Sequence, residues 1–277
     1  MFAFVAQLSY LNWRESCCNL ARSEGQLSVL TVIPARLGAT RLLRKPLRLL
    51  GGVPLVIRVF ERVTALNIGD ASVVATDDNE VLNVCRQYNV PAILTRGDHP
   101  SGTDRVAEVA QHKDFRSFEF ILNVQGDEPF VTAEALRAAL SLVISGAAPI
   151  GTVAVKAEHD ALRRPDVVKV VRTESGHALY FSRAPIPFLR ESADSELFDT
   201  LVRQHIGVYA YTRQALLQWV ALPPHPLEIV ERLEQLRPLA HGLRIGVADV
   251  AVATERGIDT EEDLARANAR WNASVTH

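Results

Sequence analysis

Apolar positions fall in short blocks along this chain, and the blocks alternate between strand-like and helix-like spacing. Ser28–Ile33 is a compact run rich in β-branched residues and ended by Pro34, which predicts a first buried strand. After Gly51 and Gly52, Pro54 opens a helix to about Leu66, with Leu55, Val56, Val59, Phe60 and Val63 on one face. Ala71–Thr76 is a second strand stopped by Asp77 and Asp78, and Asp78 is placed to cap a helix over Asn79–Tyr88. Val90–Leu94 is a short third strand. The polar loop Thr95–Arg105 then runs into a helix with Val106, Val109 and Ala110 inward. Phe120, Ile121, Leu122 and Val124 make a fourth strand, broken at Gly126–Pro129, and Thr132 caps a helix over Ala133–Ile144. Strand and helix alternating in this way predict an α/β fold with a doubly wound, mostly parallel sheet.

The second half is less regular. Ile150–Lys156, Val167–Arg172, Ala178–Ser182, His205–Tyr211 and Leu243–Val250 read as strands, and Leu227–Arg237 as a helix. Residues 183–200 hold Pro185, Pro187 and several acids and read as a long loop. Thr260 is placed to cap a last helix, with Glu261, Glu262 and Asp263 in its first turn.

Composition narrows the class. A chain of 277 residues has room for one large α/β domain, or for a domain with an insert. The net charge of -2 gives no pointer to nucleic acid or to an anionic membrane surface. No apolar run approaches the roughly 18 residues of a membrane span. Cys17, Cys18 and Cys85 have neither metal-ligand spacing nor the look of a disulfide framework, so a reducing cytoplasm is expected. Residues 1–27 differ from the rest: they start apolar, with no basic region ahead and no clear cleavage site. They are expected to be a poorly ordered terminal extension, or the product of an upstream start, rather than a secretory signal. The organised domain is then 28–277.

Two stretches carry candidate chemistry. Asn123–Pro129 puts Asp127 and Glu128 at the carboxyl end of a strand, the edge where open α/β sheets bind ligands. A carboxylate there suits a divalent cation carrying a phosphorylated substrate; the plainer reading is a strand-ending turn with solvated acids. Ala35–Pro46 carries Arg36, Arg41, Arg44 and Lys45 with Gly38, directly after the first strand. Nucleotide phosphates would sit at such a loop; the plainer reading is a solvated basic loop.

With these stretches in view, the chain resembles the 3-deoxy-D-manno-octulosonate (Kdo) cytidylyltransferases, or CMP-Kdo synthetases, over about residues 28–270. The motifs are Ile33–Arg36 with Thr40–Leu42 and Lys45–Leu47; Ala75–Asp77; Thr95 and Arg96 with Asp98, His99 and Ser101–Thr103; Asn123–Pro129; Ala178–Arg183; His205–Tyr209; Pro226–Glu228 with Leu233–Arg237; and Gly257–Thr260. Each is weak alone; their shared order and spacing carry the resemblance.

The resemblance implies a nucleotide-diphospho-sugar transferase-like α/β domain, with a smaller mixed part at about 160–237 for dimerisation and sugar binding. It implies a Mg²⁺-dependent cytoplasmic homodimer that turns CTP and Kdo into CMP-Kdo and diphosphate for lipopolysaccharide. Arg36, Arg41 and Lys45 match triphosphate-binding residues, and Asp127 and Asp259 match the metal ligands. Gln125, Ser101, Thr103 and Arg105 match positions near the cytidine, with a plain helix-entry turn as the alternative for Ser101–Thr103. His205, Tyr209, Glu234 and Gln235 match the sugar pocket. Arg183 could meet the sugar carboxylate, or pair with the acids of 191–199. Another sugar acid (sialic acid or an amino-modified Kdo) and a non-catalytic CTP-binding homologue remain as alternatives.

The chain departs from the family in two places. Leu43 and Arg44 stand where the family has Pro-Gly, so Arg44 would be strained if that position needs a positive φ; the alternative is an added phosphate contact from its side chain. Thr254–Gly257 stands where a Pro-Gly turn is usual.

Overall fold

The computed structural model describes residues 28–38, 41–251 and 257–275. The expectations for residues 1–27, for Thr40 and for Thr254–Arg256 lie outside the described residues. The chain forms two compact units. Of the described residues, one holds those up to Val131 together with 257–275, and the other holds 132–251.

In the first unit the strands are β1 (Val29–Ala35), β2 (Leu49–Leu50), β3 (Val53–Pro54), β4 (Ala71–Thr76), β5 (Ala92–Leu94) and β6 (Phe120–Asn123). The helices are α1 (Leu55–Leu66), α2 (Asn79–Gln87), α3 (Gly102–Gln111) and a C-terminal helix, Glu261–Val275. β6, β1, β4 and β5 lie side by side in that order, and every pairing is parallel. The α/β fold expected from the alternating pattern is therefore found. All seven residues of β1 are buried, as a central strand of a parallel sheet requires. From β1 the chain steps outward to β4 and β5, then returns to lay β6 on the other flank of β1. The carboxyl ends of β1 and β6 thus form the switch point of this sheet, where such folds place a crevice.

Pro34 does not end β1, as the sequence suggested; the strand runs on to Ala35. The missing N–H costs little there, because the β1–β6 ladder already ends at Val32 opposite Asn123. Other local signals held. Asp78 accepts from the backbone N–H of Glu80 at 2.7 Å, and Thr260 from that of Asp263 at 3.1 Å. Gly51 and Gly52, with φ of 56° and 76°, make the tight β2–β3 turn. A β-carbon on Gly51 would stand 2.3 Å from the Trp271 ring, so the C-terminal helix sits hard against this hairpin. Asn268 fastens the contact from both sides, accepting from Gly51 N at 2.9 Å and donating to Leu49 O at 3.0 Å. Arg48 adds a two-pronged bond to Glu261 at 2.5 and 2.7 Å.

In the second unit, β7 (Ile150–Lys156) lies between parallel β11 (Ile245–Asp249) and antiparallel β10 (Arg203–Thr212). β8 (Lys169–Arg172) pairs antiparallel with β10, and β9 (Ala178–Ser182) with β8. Its helices are α4 (Ala133–Ile144), α5 (Phe198–Leu201), α6 (Arg213–Ala221), α7 (Pro226–Glu231) and α8 (Leu236–Ala240).

Two expectations need correction here, and one element went unforeseen. The helix foreseen over Leu227–Arg237 is two short helices, because Arg232 takes a left-handed conformation (φ 57°) that ends α7. α6 was not foreseen: β10 runs into it with no Gly or Pro between, and only Thr212, accepting from Ala215 N at 3.1 Å, marks its start. The loop foreseen over 183–200 contains a 3₁₀ turn, Ser192–Leu197, and then α5. Phe198 is what ties it down, buried among Ala157, Ala161, Val167 and Val202 and stacked on His159.

Candidate active site

The crevice at the switch point is a cavity of about 350 Å³. Pro34, Ala35 and Arg36 line it from the end of β1, and Gln125, Gly126 and Asp127 from the end of β6. Arg41, Leu42, Lys45 and Pro46 enter from the loop after β1, and Asp259 from the turn before the C-terminal helix. Both stretches singled out for chemistry thus face one space. Residues 257–259 are held there in part by the backbone, as Ile258 N donates to Asp127 O at 2.9 Å.

The charges inside are closely matched. Lys45 Nζ donates to Asp127 Oδ2 at 2.6 Å and to Asp259 Oδ1 at 2.7 Å. Arg41 Nη2 donates to the other oxygen of Asp259 at 2.9 Å. Burial works against the Lys45 charge, but Asp127 and then Asp259 outweigh it, and its pKa lies above the ordinary 10.5. Arg36 lines the cavity and stays exposed. Glu128, for which the sequence offered no role, has its pKa pushed up to about 8 by burial and by the charges of Asp127 and Asp259, with Lys45 opposing.

Arg44 does adopt the left-handed conformation, with φ 57° and ψ 33°. Its guanidinium pairs with Glu80 on α2 and is not among the cavity's lining groups. The left-handed region costs an L-residue roughly 1–2 kcal/mol relative to glycine. The exposed Glu80 pair returns less than that. Arg44→Gly is therefore expected to stabilise the protein by about 1 kcal/mol, read as a higher urea midpoint at unchanged slope. A lower midpoint would contradict the strain argument.

Of the residues matched to the cytidine, Gln125 lines the cavity. Ser101 caps α3, accepting from Asp104 N at 3.3 Å. Thr103 and Arg105 are buried, and Arg105 Nη2 donates to Asp77 at 2.8 Å. These three set the start of α3 beside the cavity wall: a β-carbon at Gly102 would stand 3.6 Å from Gln125 Oε1 and 3.7 Å from Pro34 Cγ. Sequence reasoning missed Glu108, which accepts from Arg96 N at 3.1 Å and bonds His99, so fastening the loop before α3. The only signal was its spacing of three from Arg105, which puts both on one helix face.

The residues matched to the sugar lie in the second unit. His205 Nε2 bonds Thr152 Oγ1 at 2.9 Å, with the edge of Phe181 at 5.0 Å and Tyr209 at 5.5 Å between ring centres. The Tyr209 hydroxyl has its pKa raised well above the usual 10 by burial, with smaller contributions from Tyr211 and Glu234. His205, Tyr209 and Glu234 therefore share one neighbourhood. Gln235 is buried. Arg183 donates to Glu231 O at 2.9 Å and Pro165 O at 3.0 Å, and no bond to the acids of 191–199 is found for it among the described residues.

Burial pushes the His205 pKa down to about 3. An unfolded histidine takes up a proton near pH 6.5, whereas the folded one stays neutral. Its contribution to stability is therefore complete above pH 6.5 and is lost as pH falls toward 3. Between pH 7 and 5 the expected loss is up to about 2 kcal/mol. His205→Gln should flatten this part of a melting-temperature profile against pH; an unchanged profile would exclude His205 as its source.

A family model described as cytidylyltransferase matches residues 30–245. The chain belongs to the cytidylyltransferase family. It is 65% identical over 246 residues to a 3-deoxy-manno-octulosonate cytidylyltransferase of Gemmatimonas aurantiaca, covering 89% of this chain and 95% of that one. It is 46% identical to the protein of that name from Polynucleobacter necessarius, covering 86% and 93%. A solved CMP:2-keto-3-deoxy-manno-octonic acid synthetase complexed with CTP superposes with a TM-score of 0.81 at 35% identity, over 89% of this chain and 99% of that one.

Proposed function

We propose that this cytidylyltransferase joins CTP to Kdo, releasing diphosphate and giving CMP-Kdo for lipopolysaccharide. One observation carries the reading: Arg36, Arg41 and Lys45 gather with Asp127 and Asp259 around one cavity at the sheet's switch point. A triphosphate needs such cations, arginine as a planar donor fork and lysine as a point charge. The names of the relatives supply the nucleotide and the sugar acid.

The transfer needs no protein nucleophile. The anomeric oxygen of the sugar bonds to the α-phosphorus, the bond to diphosphate breaks, and the hydroxyl proton passes to water. Arg36, Arg41 and Lys45 hold the triphosphate and take up charge that develops on the departing diphosphate. Gln125 faces the same cavity with an amide, which can both donate to and accept from a pyrimidine edge. His205, Tyr209, Glu234 and Gln235 are proposed to take the sugar, with mixed donors and acceptors for its hydroxyls. The bonds of Arg183 to Glu231 and Pro165 suit a support for these elements better than a carboxylate contact.

Asp127 and Asp259 would hold Mg²⁺. The fit is in the donor set: two carboxylates already converge on one positive charge, the Lys45 ammonium. Among the described residues no group of three or more His, Cys, Asp or Glu could hold a metal. Two carboxylates suit an ion that keeps water and substrate oxygens as its remaining ligands. Bound there, it would supply Lewis-acid polarisation of the α-phosphate and a lower pKa for the attacking hydroxyl.

Diphosphate release from CTP, Mg²⁺ and a panel of sugar acids is the test. Turnover with Kdo in preference to sialic acid and amino-Kdo is expected; turnover with another acid alone would overturn the substrate and leave the reaction. We further propose a cytoplasmic homodimer. Among the described residues no helix is long and apolar enough to cross a membrane. The second unit exposes Leu179, Phe188, Leu197, Ile229 and Val230, more apolar surface than a lone subunit needs. Light scattering at twice the chain mass is the expected result.

A further inference from the structure

The ammonium of Lys45 stands where both proposed metal ligands point. Its bonds of 2.6 and 2.7 Å use one oxygen of Asp127 and one of Asp259, and Arg41 uses the second oxygen of Asp259 at 2.9 Å. A divalent ion that takes those oxygens competes with the ammonium for them. Both would lie within a few ångströms of each other in a partly buried site, where like charges repel strongly. Binding of one disfavours the other.

Lys45 is built to be the one that moves. Its backbone belongs to the short 3₁₀ turn Lys45–Leu47, set between left-handed Arg44 and buried Pro46, so the root is fixed. The four-carbon stem is not, and it lines the same cavity as Arg36 and Arg41. A polyanion entering that cavity offers the ammonium other oxygens.

We infer that Lys45 is an internal counter-ion that closes the metal site until a nucleoside triphosphate draws it away, so that metal and nucleotide bind as a pair. This rests on the proposed metal role of Asp127 and Asp259. Without nucleotide, the two carboxylates are already neutralised and bind a divalent ion poorly. With nucleotide, the lysine turns to the phosphates, and the carboxylates of Asp127 and Asp259 are released to hold the cation. By linkage, each ligand raises the affinity of the other by the same factor. One residue would thus act twice, first as gate and then as phosphate contact.

The test measures Mn²⁺ binding to the nucleotide-free protein by electron paramagnetic resonance, with no turnover involved. Lys45→Met removes the charge and keeps most of the stem. It is expected to bind Mn²⁺ at least about tenfold more tightly than the unmodified protein, within the usual range of coupling between sites. Adding Asp127→Asn to Lys45→Met should abolish the gain. Lys45→Gln is the second variant should the methionine fold poorly, with melting curves as the check on both. Equal or weaker binding by both folded variants overturns the inference. If the unmodified protein with CTP holds Mn²⁺ in an Asp127-dependent way while the variants show no gain, the gate fails and the metal site stands. If Asp127→Asn leaves Mn²⁺ binding unchanged with and without CTP, the metal site itself is wrong, and the gate falls with it.

Discussion

Asp127→Asn is expected to lower diphosphate release at least a hundredfold while leaving the fold in place. The substitution keeps size and shape and removes one negative charge. The backbone bond from Ile258 N to Asp127 O at 2.9 Å does not depend on the side chain, so the turn and residues 257–259 should stay where they are. Lys45 loses the charge of its 2.6 Å partner, though an amide oxygen can still accept from it, and keeps Asp259 at 2.7 Å; both side chains are partly open to solvent. The cost to stability is then of the order of a surface pair, about 1 kcal/mol or less. Catalysis has no such reserve. Removing even an outer support of a metal site costs about 10–100-fold, and removal of one of the two proposed protein ligands should cost more. The KM for CTP should change less than kcat, because Arg36, Arg41 and Lys45 remain. Activity within about threefold of the unmodified protein would remove Asp127 from the catalytic machinery.

Gly126→Ala should be as damaging, for a steric reason. A β-carbon at Gly126 would lie 2.7 Å from Pro34 O and 3.5 Å from the Ala35 side chain. The first contact is closer than real β-carbons come to any heavy atom, and neither partner is a flexible tip. β1 and β6 are fixed by parallel pairing up to Val32 and Asn123, and by Val124 N on Val32 O at 3.1 Å. Relief must therefore come from the turn after β6, whose Gln125 and Asp127 line the cavity. A displacement near 1 Å at a positioning group costs about a hundredfold in rate. Crowding of this kind costs roughly 1–3 kcal/mol of stability. Diphosphate release and a urea melt on the same preparation measure both. Full activity in the alanine variant would mean that the two strand ends are not as close as described.

Several elements were legible because their signals are local. Ala71–Thr76, Ala133–Ile144, Ile150–Lys156 and Ala178–Ser182 have the predicted bounds, each set by an apolar run between residues that cap or break. The failures are also local in origin but decided elsewhere. The sequence around Arg232 has no glycine to announce a left-handed end to α7. What holds the break together is the buried pair of Arg237 and Glu228, at 2.6 and 2.8 Å, across the two short helices. Phe198 looked like one apolar residue in an acidic loop, and only the pocket that receives it makes it an anchor.

The site divides in the same way. The residue types were readable: cations after the first strand and an acid after the fourth, at the edge where α/β sheets bind ligands. The roles of Asp259, His205 and Tyr209 came from resemblance to a family, since nothing in their local pattern separates them from a helix start or a structural strand. The chain by itself determined the alternation of strands and helices, the caps, and the chemical character of the two loops, because these depend on neighbours a few residues away. The tertiary structure alone decided that Lys45 meets Asp127 and Asp259, across separations of 82 and 214 residues. No periodicity reaches that far. The meeting depends on β6 returning to the flank of β1 and on the C-terminal helix being fixed against the β2–β3 hairpin, and both are set by packing.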